Sequence, residues 1–131
     1  MNKKPEIIKS SPYFPVADAA MSVKFYEDVL GFVCDYSGGD PMQFAICSRD
    51  EFSVMLRQVA SVESILPVER QGGSWDAFFW VSGLHALFKE FQKKNVEVVY
   101  PPMIQEIYQM EEFAIRDPDG HVLGFGETLD S

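Results

Sequence analysis

The stretch Phe113-Ala114-Ile115-Arg116-Asp117-Pro118-Asp119-Gly120-His121-Val122-Leu123-Gly124-Phe125-Gly126-Glu127 decides how this chain reads. Two apolar runs flank Asp117-Pro118-Asp119-Gly120. Proline at the second position pre-sets φ and glycine at the fourth tolerates the exit geometry, so the four residues suit a type I turn. The flanking runs then read as the two strands of a hairpin. An earlier stretch has the same order: Phe44-Ala45-Ile46, an Arg49-Asp50 turn, and the apolar run Phe52 to Leu56. That recurrence implies a duplicated unit.

Working outward, residues 1–6 are polar and read as a frayed end. Ile7 to Val16 predicts a strand that Pro12 and Pro15 confine to an edge. Asp18 is an N-cap, and Ser22, Phe25, Tyr26, Val29 and Leu30 fall on one helical face that Gly31 ends. Phe32 to Tyr36 is a second strand, and the first hairpin occupies 43–58. A polar connector, 59–74, ends in Gly72-Gly73. Trp75 to Val81 predicts a strand. Ser82 is expected to cap a helix with Leu84, Leu87, Phe88 and Phe91 on its apolar face and Asn95 at its end. Val96 to Val99 is a strand, and Pro101-Pro102 opens a loop to about Gln109. Val16 and Val81, Gly31 and Asn95, and Phe44 and Phe113 are 65, 64 and 69 residues apart. The expected fold class is α+β: a single domain, 1–131, with module 1 at about 7–58, the connector at 59–74 and module 2 at about 75–127. Each module is a βαβββ unit with its helix on the outer face of the sheet.

With 131 residues, 47% apolar, the chain can bury a real core. The net charge of −9 argues against a nucleic-acid partner, whose phosphates attract a basic face. No apolar run approaches membrane-spanning length or forms a signal peptide, so no membrane partner is expected. Cys34 and Cys47 have no metal spacing and fit a reducing, cytoplasmic setting.

The segments Pro15-Val16-Ala17-Asp18, Phe25-Tyr26, Val29-Leu30-Gly31-Phe32, Glu112-Phe113 and Asp117-Pro118-Asp119-Gly120, with their spacing, resemble the vicinal oxygen chelate superfamily. That superfamily includes glyoxalase I, extradiol dioxygenases, and fosfomycin- and bleomycin-resistance proteins. Within it the chain is most similar to the bleomycin-resistance type, as in Met110-Glu111-Glu112-Phe113. The resemblance covers about residues 10–127. It implies a cup curled from paired βαβββ modules, and a homodimer in which modules of two chains can share a cup.

The resemblance also implies four metal-ligand positions in the superfamily's enzymes, which fall here on Ser11, Met55, Asp76 and Gly124. Only Asp76 is a credible ligand: glycine has no side chain, and a thioether is too soft for Zn, Mg or Mn. His85 lies off its helix's apolar face, and His121 reads as a turn-end residue. No metal, cofactor or catalytic residue is therefore expected. Strand alternation instead sets Tyr13, Met55, Asp76, Phe78, Trp80 and Gly124 toward the cup, and the hairpin register adds Phe113. Gly124 and Gly126 would open room at the floor. Tyr108, Met110 and Glu112 are placed on the loop and rim above. Aromatic walls around one carboxylate suit a planar or cationic small molecule. The expectation is a metal-free binding protein that sequesters such a ligand at a dimer interface. The alternatives are a metal-dependent glyoxalase-like or dioxygenase-related enzyme, and a non-catalytic dimer with a packed cup.

Overall fold

The structure is a computed structural model that describes residues 3–130. Met1 and Asn2, from the end expected to fray, lie outside the described residues. The elements are β1 (Tyr13–Val16), α1 (Ala19–Asp28), β2 (Val33–Gly38), β3 (Phe44–Arg49), β4 (Phe52–Gln58), β5 (Ala77–Trp80), α2 (Leu84–Gln92), β6 (Glu97–Gln105), β7 (Met110–Arg116) and β8 (Val122–Thr128). The connector carries two 3-10 turns, Val62–Ser64 and Val68–Gln71. The strands form two four-stranded mixed sheets, ordered β1-β4-β3-β2 and β5-β8-β7-β6, with no closed barrel. In each sheet the first strand of the module runs parallel to the last, β1 with β4 and β5 with β8. This is the expected α+β architecture of two βαβββ modules.

One face of each sheet packs on its helix. Under α1 lie Phe14, Val16, Ala45, Cys47, Val54 and Leu56, with Ala19, Val23, Tyr26 and Leu30 from the helix side. Under α2 the aromatics interlock: Phe113 lies 5.0 Å from Phe88, 6.0 Å from Phe91 and 5.2 Å from Phe125. Asp18 caps α1 by accepting from the Met21 N–H at 3.1 Å. Gly31 and Asn95 both take left-handed φ, +75° and +58°, where the two helices give way to strands.

Several expected boundaries move. The strand expected from Ile7 is paired only from Tyr13, because Pro12 has no N–H and only its carbonyl, accepting from Met55 N, meets β4. Ile7 and Ile8 stay exposed. The second strand runs two residues past Tyr36, and the fifth covers only Ala77–Trp80. Ser82 does not cap α2. The N-cap is Gly83, and the Glu127 carboxylate accepts from the Gly83 and Leu84 N–H groups at 3.2 and 3.0 Å. The loop expected from Pro101 is strand: β6 continues to Gln105 with register shifts between Tyr100 and Met103. It is the edge strand of its sheet, where a missing N–H is tolerated. Met110 therefore begins β7 instead of lying on a loop.

The repeated Phe-Ala-Ile is out of phase between the modules. The first hairpin closes on Asp50-Glu51, both at positive φ as a two-residue type I′ turn needs. The second closes between Asp117 and His121, with Asp117 N–H donating to His121 O at 2.9 Å and three residues in the turn. The extra residue sets Ala114, not Phe113, opposite Gly124.

Candidate functional site

Ladder partners on neighbouring strands share a face, and successive residues along a strand alternate. The sheet face away from α2 can therefore be written as rows: Phe78, Gly124, Ala114 and Tyr100 in one, Trp80, Gly126 and Glu112 in the next. Phe113 pairs with Phe125 and is fully buried on the opposite, helix-covered face, so it leaves the candidate site.

The glycine floor does not open room. It lets rings sit down on the strand. A Cβ at Gly124 would lie 2.6 Å from Phe78 Cδ2 and 2.7 Å from Trp75 Cδ1. One at Gly126 would lie 2.5 Å from Met110 Cε and 2.6 Å from Phe78 Cζ. Trp75, Phe78 and Trp80 form an aromatic ladder, with ring centroids 4.6 and 5.1 Å apart at edge-on angles. Trp80, 72% exposed, is its open end.

Beneath the ladder is a polar network that the sequence did not announce. Trp75 Nε1–H donates to the Tyr100 hydroxyl at 2.9 Å, and that hydroxyl donates to Glu112. Tyr108 donates to the other Glu112 oxygen at 2.5 Å. Glu112, expected at the rim, is 1% exposed. Burial and then the Glu112 hydrogen bond push the Tyr108 phenol up to about 12, and the same causes raise Tyr100. Both phenols stay protonated at neutral pH and keep donating.

Asp76 is spent on structure. Its oxygens accept from the Val68 N–H at 3.0 Å and the Val122 N–H at 2.8 Å, tying the connector to the start of β8. The carboxylate expected to face a cation thus carries one amide on each oxygen and also lines the groove beside Phe78 and Trp80. Tyr13 and Met55 are cross-strand partners on the other sheet, in a row with Ile46 and Tyr36. Arg57 joins that face: its guanidinium sits 4.9 Å over the Phe44 ring and Nε–H donates to the Tyr13 hydroxyl at 3.2 Å. Two grooves run where the modules meet. One of about 540 Å³ is lined by Phe52, Phe79, Trp80 and Leu87, and one of about 470 Å³ by Pro12, Phe52, Asp76, Phe78 and Trp80. Neither includes Tyr13 or Met55.

The four positions implied for a metal do not fit one. Ser11 Oγ donates to backbone carbonyls of Pro12 and Ser53, Met55 offers a thioether, rings cover Gly124, and Asp76, with one amide on each oxygen, is a lone carboxylate. Asp117, Asp119 and His121 bring ligand atoms within 4.8 Å of one another. Those atoms hold the turn and the seam between modules: Asp117 accepts from Tyr26 OH at 3.0 Å and from the Asp119 and His121 N–H groups, and Asp119 accepts from Ala17 N–H at 3.0 Å. His85 is exposed on α2, 3.0 Å from Glu111.

Two helix-backed βαβββ modules with open inner faces define a class of scaffold. The sequence profile of the Glyoxalase/Bleomycin resistance protein/Dioxygenase superfamily matches residues 11–125, and the chain belongs to that superfamily. No curated protein sequence matches it. Its fold is similar to that of TioX from Micromonospora sp. ML1, at TM-score 0.74 and 18% identity over 93% of this chain and 99% of that one. It is similar to the bleomycin-binding protein of bleomycin-producing Streptomyces verticillus, solved with copper(II)-bleomycin, at TM-score 0.68 and 21% identity over 98% of this chain and all of that one. A bleomycin resistance determinant encoded on the transposon Tn5 gives TM-score 0.74 and 18% identity over 93% and 98%. At these identities the likeness is one of fold. Among the described residues no helix is long and apolar enough to cross a membrane.

Proposed function

We propose that the protein binds a small planar, cationic molecule without a metal, as a sequestering protein of the bleomycin-resistance kind. The observation that carries this reading is the seating of Trp75 and Phe78 over Gly124, at the position where the superfamily's enzymes hold a metal ligand. The ladder ending in exposed Trp80 offers a π-face for stacking, and the buried Glu112 beneath it adds attraction for positive charge. The Streptomyces verticillus neighbour was solved with a bleomycin complex, and that likeness of scaffold supports the ligand class.

In this reading the cup is completed by a second copy. Trp80, Tyr13 and Tyr36 are each more than half exposed on the open faces of a single chain. A homodimer that sets the first module of one chain against the second of its partner would cover them and put Tyr13, Met55 and Arg57 opposite Phe78 and Trp80. The protein would work in the cytoplasm. Titration calorimetry against bleomycin and a panel of planar cations tests the reading, with binding by wild type expected. Trp80→Ala should weaken binding about tenfold or more, the usual effect of deleting an aromatic anchor. An unchanged affinity removes Trp80 from the site. No binding across the panel, or one equivalent of Zn, Ni or Mn in protein purified without chelator, overturns the reading.

A further inference from the structure

We propose that Cys34 and Cys47 form a peroxide-responsive dithiol that closes into a cross-strand disulfide within one chain. They are the only cysteines in the sequence, both are free thiols, and they sit directly opposite each other on antiparallel β2 and β3. The Cys34 N–H does not cross the ladder. It donates to the Glu27 carboxylate on α1 at 3.1 Å. The pair is thus of the non-hydrogen-bonded kind, whose Cα atoms approach to about 4.5 Å with side chains closest. That spacing falls within the span a disulfide bridges. β2 is the edge strand of its sheet, and its register shifts between Cys34 and Tyr36, so the backbone beside Cys34 is less constrained than a central ladder.

The two thiols have distinct parts. Cys34 is half-buried and meets the oxidant. Cys47 is fully buried, and burial followed by the neighbouring Cys34 thiol pushes it up to about 12. Burial shields it from solvent oxidants and disfavours its thiolate, so its part is confined to a sulfur already oxidised and held opposite it across the strand. The Cys34 sulfur attacks one peroxide oxygen, the O–O bond breaks, and water leaves, with Cys34 oxidised to a sulfenic acid. The Cys47 sulfur then attacks that sulfur, forming S–S and releasing a second water. Two thiols and one hydrogen peroxide thus become one disulfide and two waters, and two electrons pass from sulfur to oxygen. The bridge would staple β2 to β3 on the face covered by α1, one ladder step from Tyr36 and Ile46 of the open face. The proposal is independent of what the open faces bind.

The test is intact mass under denaturing, non-reducing conditions after hydrogen peroxide treatment of the reduced full chain. Wild type should lose 2 Da per chain (the two thiol hydrogens), lose both titratable thiols, and recover them with dithiothreitol. Cys47→Ser and Cys47→Ala should instead gain oxygen at Cys34, and Cys34→Ser should leave Cys47 unmodified while folded. Oxygen added to Cys34 in wild type without the 2 Da loss, disulfide-linked dimers as the main product, or survival of both thiols would each overturn the proposal.

Discussion

Gly124 lies across the sheet from Phe78 and Ala114, and an added methyl there would meet two rings at 2.6 and 2.7 Å. The rings are held: Trp75 by its bond to Tyr100, Phe78 by contact with Trp75 and Trp80. Relief would require breaking the Trp75–Tyr100–Glu112 chain or shifting β5. Gly124→Ala should therefore cost about 1–3 kcal/mol, the usual range for overpacking a filled site. Chemical denaturation measures the loss, and near-ultraviolet circular dichroism should show a changed tryptophan signal. A variant as stable as wild type with an unchanged spectrum would mean that the rings are loose. The sequence led to this glycine through its count from the turn. It could not show what fills the space, because alternation in a strand expected from Trp75 sets that ring opposite Phe78, whereas β5 starts at Ala77 and the Trp75 ring lies with Phe78 over Gly124.

At the scale of elements, the helices were legible where their ends use local chemistry and illegible where they borrow it. Asp18 caps α1 from three residues away. The first N–H groups of α2 are met by Glu127, 43 residues on in sequence, at the end of β8. Two backbone donors hold the Glu127 carboxyl below the usual carboxylate range. A group with a lowered folded pKa adds stability above its unfolded pKa and loses it as pH falls through the folded value. Glu127→Gln should lower the thermal midpoint at neutral pH, and the gap to wild type should close under acid. A gap that persists when the carboxyl is protonated would show that shape, not charge, does the capping. Strand β6 failed for the related reason that Pro101-Pro102 reads as a break until the strand is known to be an edge. Tyr100 was lost with it, since only a strand running past the prolines sets that hydroxyl under Trp75. The hairpin repeat was legible as a repeat. Its phase was not, because a three-residue turn and a two-residue turn look alike in sequence.

At the scale of the whole molecule, the turn from Asp117 to His121 fastens the two modules. His121 is 2% exposed, stacks on Phe14 of β1 at 4.5 Å and 11°, and holds Asp117 through Nδ1–H at 2.9 Å. Tyr26 of α1 donates to the same Asp117 oxygen. Tyr26→Phe should cost about 1–3 kcal/mol by leaving a buried carboxylate short of a donor. The charged groups facing His121 are Asp117 and Asp119 of its own turn and Asp76 before β5. Burial alone would depress the imidazole, but the Asp117 bond and these charges outweigh it and raise the pKa above 6.5. A raised folded pKa means the stabilisation is fully present below the unfolded pKa and is lost as pH rises through the folded one. His121→Phe keeps a ring against Phe14 and removes the titration. The stability difference between wild type and this variant, from urea unfolding between about pH 5 and 9, should be largest at the acid end of that range and shrink toward alkaline pH. A difference that stays level or grows with pH would mean that the imidazole is buried neutral and adds no charge to the bonds that Tyr26 and Asp119 make across the seam.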